Sequence, residues 1–379
     1  MLRARSLETA RTTEWVPLEH VHGRCLAAAV VARHDLPPAP SSAMDGWAVR
    51  SGGGRSVRRI TDESAAGHGP ARSLHPGEAC RISTGALIPD GADAVVRRED
   101  GREIGGRLLI DAGGAAGDHV RPRGDDLAAG ERLLEAGTVV AAHELSVLAA
   151  AGHAGALCRV RPVVAVLTTG DELVPPGARV PHAHRTESNL AALGAQARAA
   201  GAVAGEHVHA GDDRRVTASA LSALLEGEPD LIVTVGGVSV GDHDHVAGAL
   251  MRLGARWAFR GVAMRPGHPV GLAVCRSTVI LALPGNPAAA VVAFHLLGRP
   301  LLGARGDWSR RAALAAPCRR HPRATTFVRC SEGPEGLRPL ARQGSAQLGS
   351  LAGARALAWI EPGEGTVDPG TLVHMSALP

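Results

Sequence analysis

Three glycine-bearing loops carry the densest chemistry in this sequence: TTGDEL at 168–173, GGVSVGDHD at 236–244 and LPGNP at 283–287. Thr169, Gly170, Gly236, Gly237, Gly241, Pro284, Gly285 and Asn286 are candidate binding positions, because glycines let a backbone approach an anion closely. A helix opening at Asn286–Pro287 would add unpaired N–H donors. Asp171, Glu172, Asp212, Asp242 and Asp244 lie in or beside these loops. Carboxylates next to a phosphate-binding backbone repel the ligand unless a divalent cation lies between, and such oxygen donors suit Mg2+. A loop aspartate can instead cap a helix. That reading is preferred for Asp213 and level with function for Asp212, whereas Glu172 and Asp244 read as functional.

Other chemistry is weaker. Ser239 has glycines two places before and after it, the spacing of an acyl-transfer elbow, but it falls in mid-loop rather than on a strand-to-helix turn. The H-x-H pairs in HAHRTESN and DHDH lack a convincing third ligand for catalytic zinc or iron. No G-x-G-x-x-G follows a strand with an acid downstream, so a dinucleotide site has little support.

Each loop follows an apolar run (VVAVLTT, DLIVTV, TVILAL), and the runs alternate with helical patterns in ESNLAALGAQARAAG, RRVTASALSALLEG, HVAGALMRLG and NPAAAVVAFHLLGRPLL. This alternation predicts an α/β domain on a mostly parallel sheet over 161–305, with the loops converging beyond the carboxyl ends of the strands. Residues 51–122 alternate short apolar runs with Gly, Pro and Asp turns and read as a small β domain. Residues 1–50 hold a short helical pattern and a Pro-rich arm that enters a strand at 47–50; the helix AHELSVLAAAG returns toward them, which groups 1–50 with 123–160. Residues 306–379 return to short β-like runs. The fold class is therefore α/β plus β, in several domains.

Composition narrows the function. The 379 residues carry a formal charge of +4, with 41 basic residues against 37 acidic, and so no dominant basic field. Five Trp, three Phe and no Tyr leave no stacking platform for nucleic acid. Lysine is absent, which excludes Schiff-base chemistry and a P-loop lysine. Six dispersed cysteines without a C-x-x-C pair read as core thiols of a cytoplasmic protein rather than a zinc site. No apolar stretch is long enough to cross a bilayer, and no signal peptide is legible.

The ordered motifs resemble the MoeA/gephyrin E-domain family of molybdopterin molybdenumtransferases along nearly the whole chain. SSAMDGWAVR, RISTGALIPDGADAVV, VRPRGDDLAAGERLLEAGT, TTGDEL, the Ser188–Asn189 step, GGVSVGDHD, MRPGHP and LPGNPAAA follow in the family's order. The resemblance implies an N-terminal linker and dimerisation domain (1–50 with 123–160), a small β domain, a molybdopterin-binding α/β domain and a C-terminal β domain. It also implies a homodimer with an active cleft shared between the α/β domain of one subunit and the β-rich part of its partner. The implied reaction inserts molybdate into adenylylated molybdopterin and releases AMP, with Mg2+ held by Glu172 and Asp244. Asp45, Asp126, Glu172, Asp212 and Asp244 are the carried-over acids and Thr84 a polar partner. Asn189, Arg265, Arg329 and Ser345 would bind the substrates. A molybdopterin adenylyltransferase and acceptor molybdoenzymes are the implied partners; nucleic acid and membrane are not. Two other readings stay open: a molybdopterin-binding scaffold without turnover, and an adenylyltransferase, which needs only the α/β unit.

The sequence departs from the family in its basic loop. The family's K-P-G-K is Arg265-Pro-Gly-His268, and an upstream basic position is Gly261, beside Arg260. Arginine still binds an oxyanion; His268 would do so only when protonated. Glu187-Ser188-Asn189 stands where the family has Asp-Thr-Asn.

Overall fold

The computed structural model describes residues 13–52, 54–111, 114–237, 245–304 and 306–379. These fall into two compact units, 13–159 and 160–379.

The first unit is built on a six-stranded sheet in the order Ala94–Arg97, Gly46–Val49, Glu78–Ile82, Ser56–Ser64, Arg107–Ile110, Gly101–Ile104. Alternation along the strands sends Trp47, Val49, Ala79 and Leu108 into one apolar cluster and Ala48, Cys80 and Val95 into another, as period-two geometry requires. Gly46–Val49 is paired on both sides, so the sheet takes in a strand that the sequence pattern attached to the preceding arm. The helical pattern expected within residues 1–50 is not borne out over 13–50. Thr13–Pro17 is a strand paired with Gly155–Arg159, followed by the single 3-10 turn Leu18–His20. The expected helix near 141–151 is present as Ala142–Ala150.

The second unit holds a six-stranded sheet in the order Val203–Ala210, Val163–Thr169, Leu231–Val235, Thr278–Leu283, Gly271–Cys275, Arg256–Arg260. The first four strands are parallel and the last two are added antiparallel. Val164 and Val166 face one core while Ala165 and Leu167 face the other, which is why the central strands read as unbroken apolar runs. Helices Asn189–Ala199, Arg214–Glu226, His245–Arg252 and Pro287–Ala293 occupy the predicted segments. Asp213 caps Arg214–Glu226 by accepting from the N–H groups of Arg215 and Val216 at 2.7 and 2.9 Å, the role expected of it.

A second sheet of this unit runs Met264–Arg265, Thr325–Gly333, Ala356–Ile360, Leu372–Ala377, Arg311–Ala313. Met264–Arg265 belongs by sequence to the α/β part, yet it pairs in parallel with Thr325–Thr326. Phe327 and Leu357 of this sheet join the same apolar cluster as Leu283 and Val292 of the α/β part. Trp308, Phe327 and Trp359 add edge-to-face contacts at 5.5–5.6 Å, the geometry that aromatic quadrupoles favour.

The π-helical turn Phe294–Gly298 after the last α/β helix carries His295, only 1 % exposed. Arg299 Nη1 lies 3.2 Å from His295 Nδ1. Arginine can only donate, so Nδ1 accepts and Nε2–H donates to Ser376 Oγ at 3.0 Å. Burial first, and Arg299 second, push the imidazole down from 6.5 to about 4. As pH falls the unfolded chain therefore takes up this proton before the folded one. The stabilisation by the neutral ring is complete above about pH 6.5 and is lost progressively toward pH 4, in total roughly 3 kcal/mol. Urea unfolding at a series of pH values should show this loss, and His295→Gln should flatten it; an equal slope in the variant would refute the assignment.

Candidate functional site

The three glycine loops meet at the carboxyl ends of the parallel strands. Thr169 Oγ1 donates to Val235 O at 3.4 Å, and Gly236 N–H donates to Leu283 O at 3.1 Å. The Cβ position of Gly285 lies 3.4 Å from Gly236 Cα. Buried Asn189 fastens a further element, its Nδ2 donating to Gly285 O at 3.1 Å. A side chain at Gly236 would lie 2.7 Å from Thr169 Oγ1 at φ +90°, so only glycine permits this approach. Pro284 is buried behind Gly285. Gly237 closes the described part of its loop; Ser239, Gly241 and Asp244 lie outside the described residues.

The acids divide by their surroundings. Asp171 and Asp212 accept from each other's backbone N–H at 3.1 and 3.3 Å, which clasps the loop after Thr169 to the loop before Asp213. Glu187 is buried and accepts from the first N–H groups of Asn189–Ala199, those of Asn189 and Leu190, at 2.8 and 3.0 Å. Its carboxylate serves the helix end. Glu172 is exposed, and its carboxylate folds back over Gly170, where a Cβ would come within 2.3 Å of Oε2.

The same unit contains a cationic cavity of about 410 Å3 lined by Arg265, Arg319, Arg320, His321, Gln343 and Ser345, among others, with no carboxylate on its wall. Pairing of Met264–Arg265 with Thr325–Thr326 sets Arg265 there. Ser345 O accepts from Ala289 N–H at 3.1 Å, and Ser345 Oγ accepts from Asn286 Nδ2 at 3.0 Å. Two residues expected at the site, Asn286 and Ser345, are thus brought into contact. His268 is not with Arg265. It lines a separate cavity of about 560 Å3 with Trp257, Arg260 and Gly261, and its Nδ1 lies 2.8 Å from Val262 O.

Arg329, expected to touch substrate, is fully buried. Nε donates to Ser350 Oγ at 2.7 Å and Nη2 to the carbonyls of Arg342 and Gly344 at 3.3 and 3.1 Å. It holds the loop that presents Ser345. The sequence reading did not single out Arg319, Arg320, His321 or Gln343; the basic run RRHPR was the only signal for the first three, such runs being ordinarily solvated turns, and Gln343 stands two places before Ser345.

In the first unit Asp45 Oδ1 accepts from Thr84 N–H at 2.7 Å and Thr84 Oγ1 at 3.0 Å. The backbone bond, then the hydroxyl bond, hold the Asp45 carboxyl below its usual range. Asp45 lines a cavity of about 540 Å3 that also includes Arg98, while Arg81 there is taken by Glu103. Asp126 lies exposed in a loop anchored by its own N–H donating to Leu36 O at 2.9 Å.

Among the described residues no group of three or more His, Cys, Asp or Glu could hold a metal ion. No helix among them is long and apolar enough to cross a membrane.

The chain matches the MoeA N-terminal region (domains I and II) over residues 2–152, a probable molybdopterin binding domain over 165–304, and the MoeA C-terminal region (domain IV) over 311–378. A molybdopterin molybdenumtransferase of Nostoc sp. is 36 % identical over 317 residues, covering 80 % of this chain and 72 % of that protein. Molybdopterin molybdenumtransferase 2 of Mycobacterium tuberculosis is 33 % identical over 388 residues, covering 96 % and 92 %. The crystal structure of the molybdopterin biosynthesis MoeA protein of Pyrococcus horikoshii superposes with a TM-score of 0.83 at 27 % identity, covering 97 % of this chain and 95 % of that one. With all three regions matched in order, and relatives above 30 % identity across most of its length, this chain belongs to the MoeA family.

Proposed function

We infer that this chain is a molybdopterin molybdenumtransferase, inserting molybdenum in molybdenum cofactor biosynthesis. The observation that carries this is the match of N-terminal, molybdopterin-binding and C-terminal regions in one chain. An adenylyltransferase would require only the middle one. Against a scaffold stand the exposed carboxylates of Asp45, held by Thr84, and of Glu172, groups that could handle protons during turnover.

The substrates proposed are molybdate and adenylylated molybdopterin. The converged loops at Gly170, Gly236 and Gly285 would receive the pyrophosphate through backbone N–H groups. Arg265, with Asn286 and Ser345 beside it, would take oxyanion oxygens. Asp45, Glu172 and the other acids would manage protons as molybdate or water attacks phosphorus, the P–O bond breaks and AMP leaves. Mg2+ is part of this proposal, with Glu172 and Asp244 as ligands. The described residues alone do not compose its site. A homodimer is also proposed. Its support is an exposed apolar pair, Trp15 and Leu157, opposite each other on paired strands. Six cysteines without a disulfide are consistent with the cytoplasm.

Incubation with adenylylated molybdopterin, Mg2+ and molybdate should release AMP only when molybdate is present. AMP release that ignores molybdate, or no release at all, would refute the transferase reading.

A further inference from the structure

We propose that the turn Arg319–His321 completes the oxyanion site of the Arg265 cavity, supplying donors that His268, which lines a separate cavity, does not. The inference rests on the reading above, that this cavity takes molybdate oxygens.

Arg320 is preset for such a role. Its Nη1 donates to Glu361 O at 3.1 Å and its backbone N–H to Gly365 O at 3.0 Å. Gly363 N–H closes the clasp on His321 O at 3.0 Å, and Cys318–Arg319 pairs with Thr366–Val367. One nitrogen is thus used to fix the guanidinium, leaving the others for a ligand. A fork fixed in advance loses less side-chain freedom on binding a tetrahedral oxyanion than a solvated chain does.

His321 differs from His268 in the atom that matters. Its Nδ1 accepts from Arg323 N–H at 3.2 Å, so the neutral ring carries its proton on Nε2 and can donate. At His268, Nδ1 lies 2.8 Å from a carbonyl, so Nδ1 donates and the neutral Nε2 offers a lone pair, which repels an oxyanion. His268 also lines a different cavity. The charge pattern agrees. In the first unit, two cavity-lining arginines are spent on carboxylates, Arg81 on Glu103 and Arg97 on Asp100. No ion pair of Arg265, Arg319 or Arg320 occurs among the described residues. Three guanidiniums around one cavity with no acid on its wall repel one another until an anion arrives.

The test is titration of the whole protein with sodium molybdate alone, followed by calorimetry. Arg320→Gln should weaken binding by about ten-fold or more. Arg320→Lys keeps the charge and the bond to Glu361 O, and should fall between Arg320→Gln and the wild type. His321→Ala should lose several-fold, and His321→Gln, which still offers N–H donors, should recover most of that. His268→Gln should bind as the wild type does. Wild-type affinity in Arg320→Gln and His321→Ala, with Arg265→Ala weakened, overturns this inference and leaves the cavity assignment standing. Unchanged binding in Arg265→Ala as well, or no uptake of molybdate by the wild type, overturns both.

Discussion

Glu172→Gln is expected to lower molybdate-dependent AMP release by about two to four orders of magnitude, the range over which a placed acid or base contributes. The substitution keeps shape and removes only charge and basicity. Nothing in the fold depends on that carboxylate: it is exposed, lies over Gly170, and no hydrogen bond or ion pair of its oxygens occurs among the described residues. The thermal unfolding midpoint should therefore match the wild type. Asp212→Asn makes the contrast, because Asp212 is engaged with the backbone N–H of Asp171 and Asn can keep that bond through its amide oxygen. Its activity loss should be smaller. Asp45→Asn should resemble Glu172→Gln, since Thr84 holds Asp45 ionised. Single-turnover AMP release in the three variants separates these outcomes, and wild-type rates in Glu172→Gln would remove Glu172 from the mechanism.

Arg329→Met is expected to cost about 3 kcal/mol of stability and to weaken molybdate use at the same time. Methionine fills much of the space but leaves buried Ser350 Oγ and the part-buried carbonyls of Arg342 and Gly344 without their donor, the buried acceptor costing about 1–3 kcal/mol if nothing replaces it and the others less. The loop should loosen instead, and Ser345 with it. Burial lowers the Arg329 pKa, yet arginine remains charged in proteins, so the change is a loss of bonds rather than a titration. Hydrogen exchange across 342–350 should rise and the molybdate concentration for half-maximal AMP release should increase, while AMP release at saturation changes less. Unchanged exchange in that loop would refute the positioning role, and Arg329→Lys should restore part of it.

What the sequence disclosed follows from how locally each feature is encoded. Arg214–Glu226 was legible because its cap, Asp213, and its apolar spacing lie in one stretch. The central strands of the α/β sheet, Val163–Thr169, Leu231–Val235 and Thr278–Leu283, were legible because burial on both faces writes itself as an unbroken apolar run, whereas the edge strand Arg256–Arg260, part-exposed and flanked by arginines, was not. Thr13–Pro17 was not: its partner, Gly155–Arg159, is more than a hundred residues away, and five residues carry too little pattern to exclude a helix. The contact of Asn286 with Ser345 is equally non-local; the family resemblance named both residues but no periodicity joined them. Arg265 and His268 taught the opposite lesson. Three positions apart, they line different cavities because a short strand fixes one and a turn carries the other away.

The pairing of Met264–Arg265 with Thr325–Thr326 also bears on how such a protein can be dissected and how it can change. A fragment ending near residue 305 would lose the partner of that strand and strip Phe327 and Leu357 from the cluster shared with Leu283 and Val292, presenting a raw apolar face to solvent. It should aggregate rather than survive as a small soluble protein. Exchange of the C-terminal part between relatives would have to carry the matching faces of both sides, so the two regions are expected to be inherited as one cooperative block despite their separate sequence signatures.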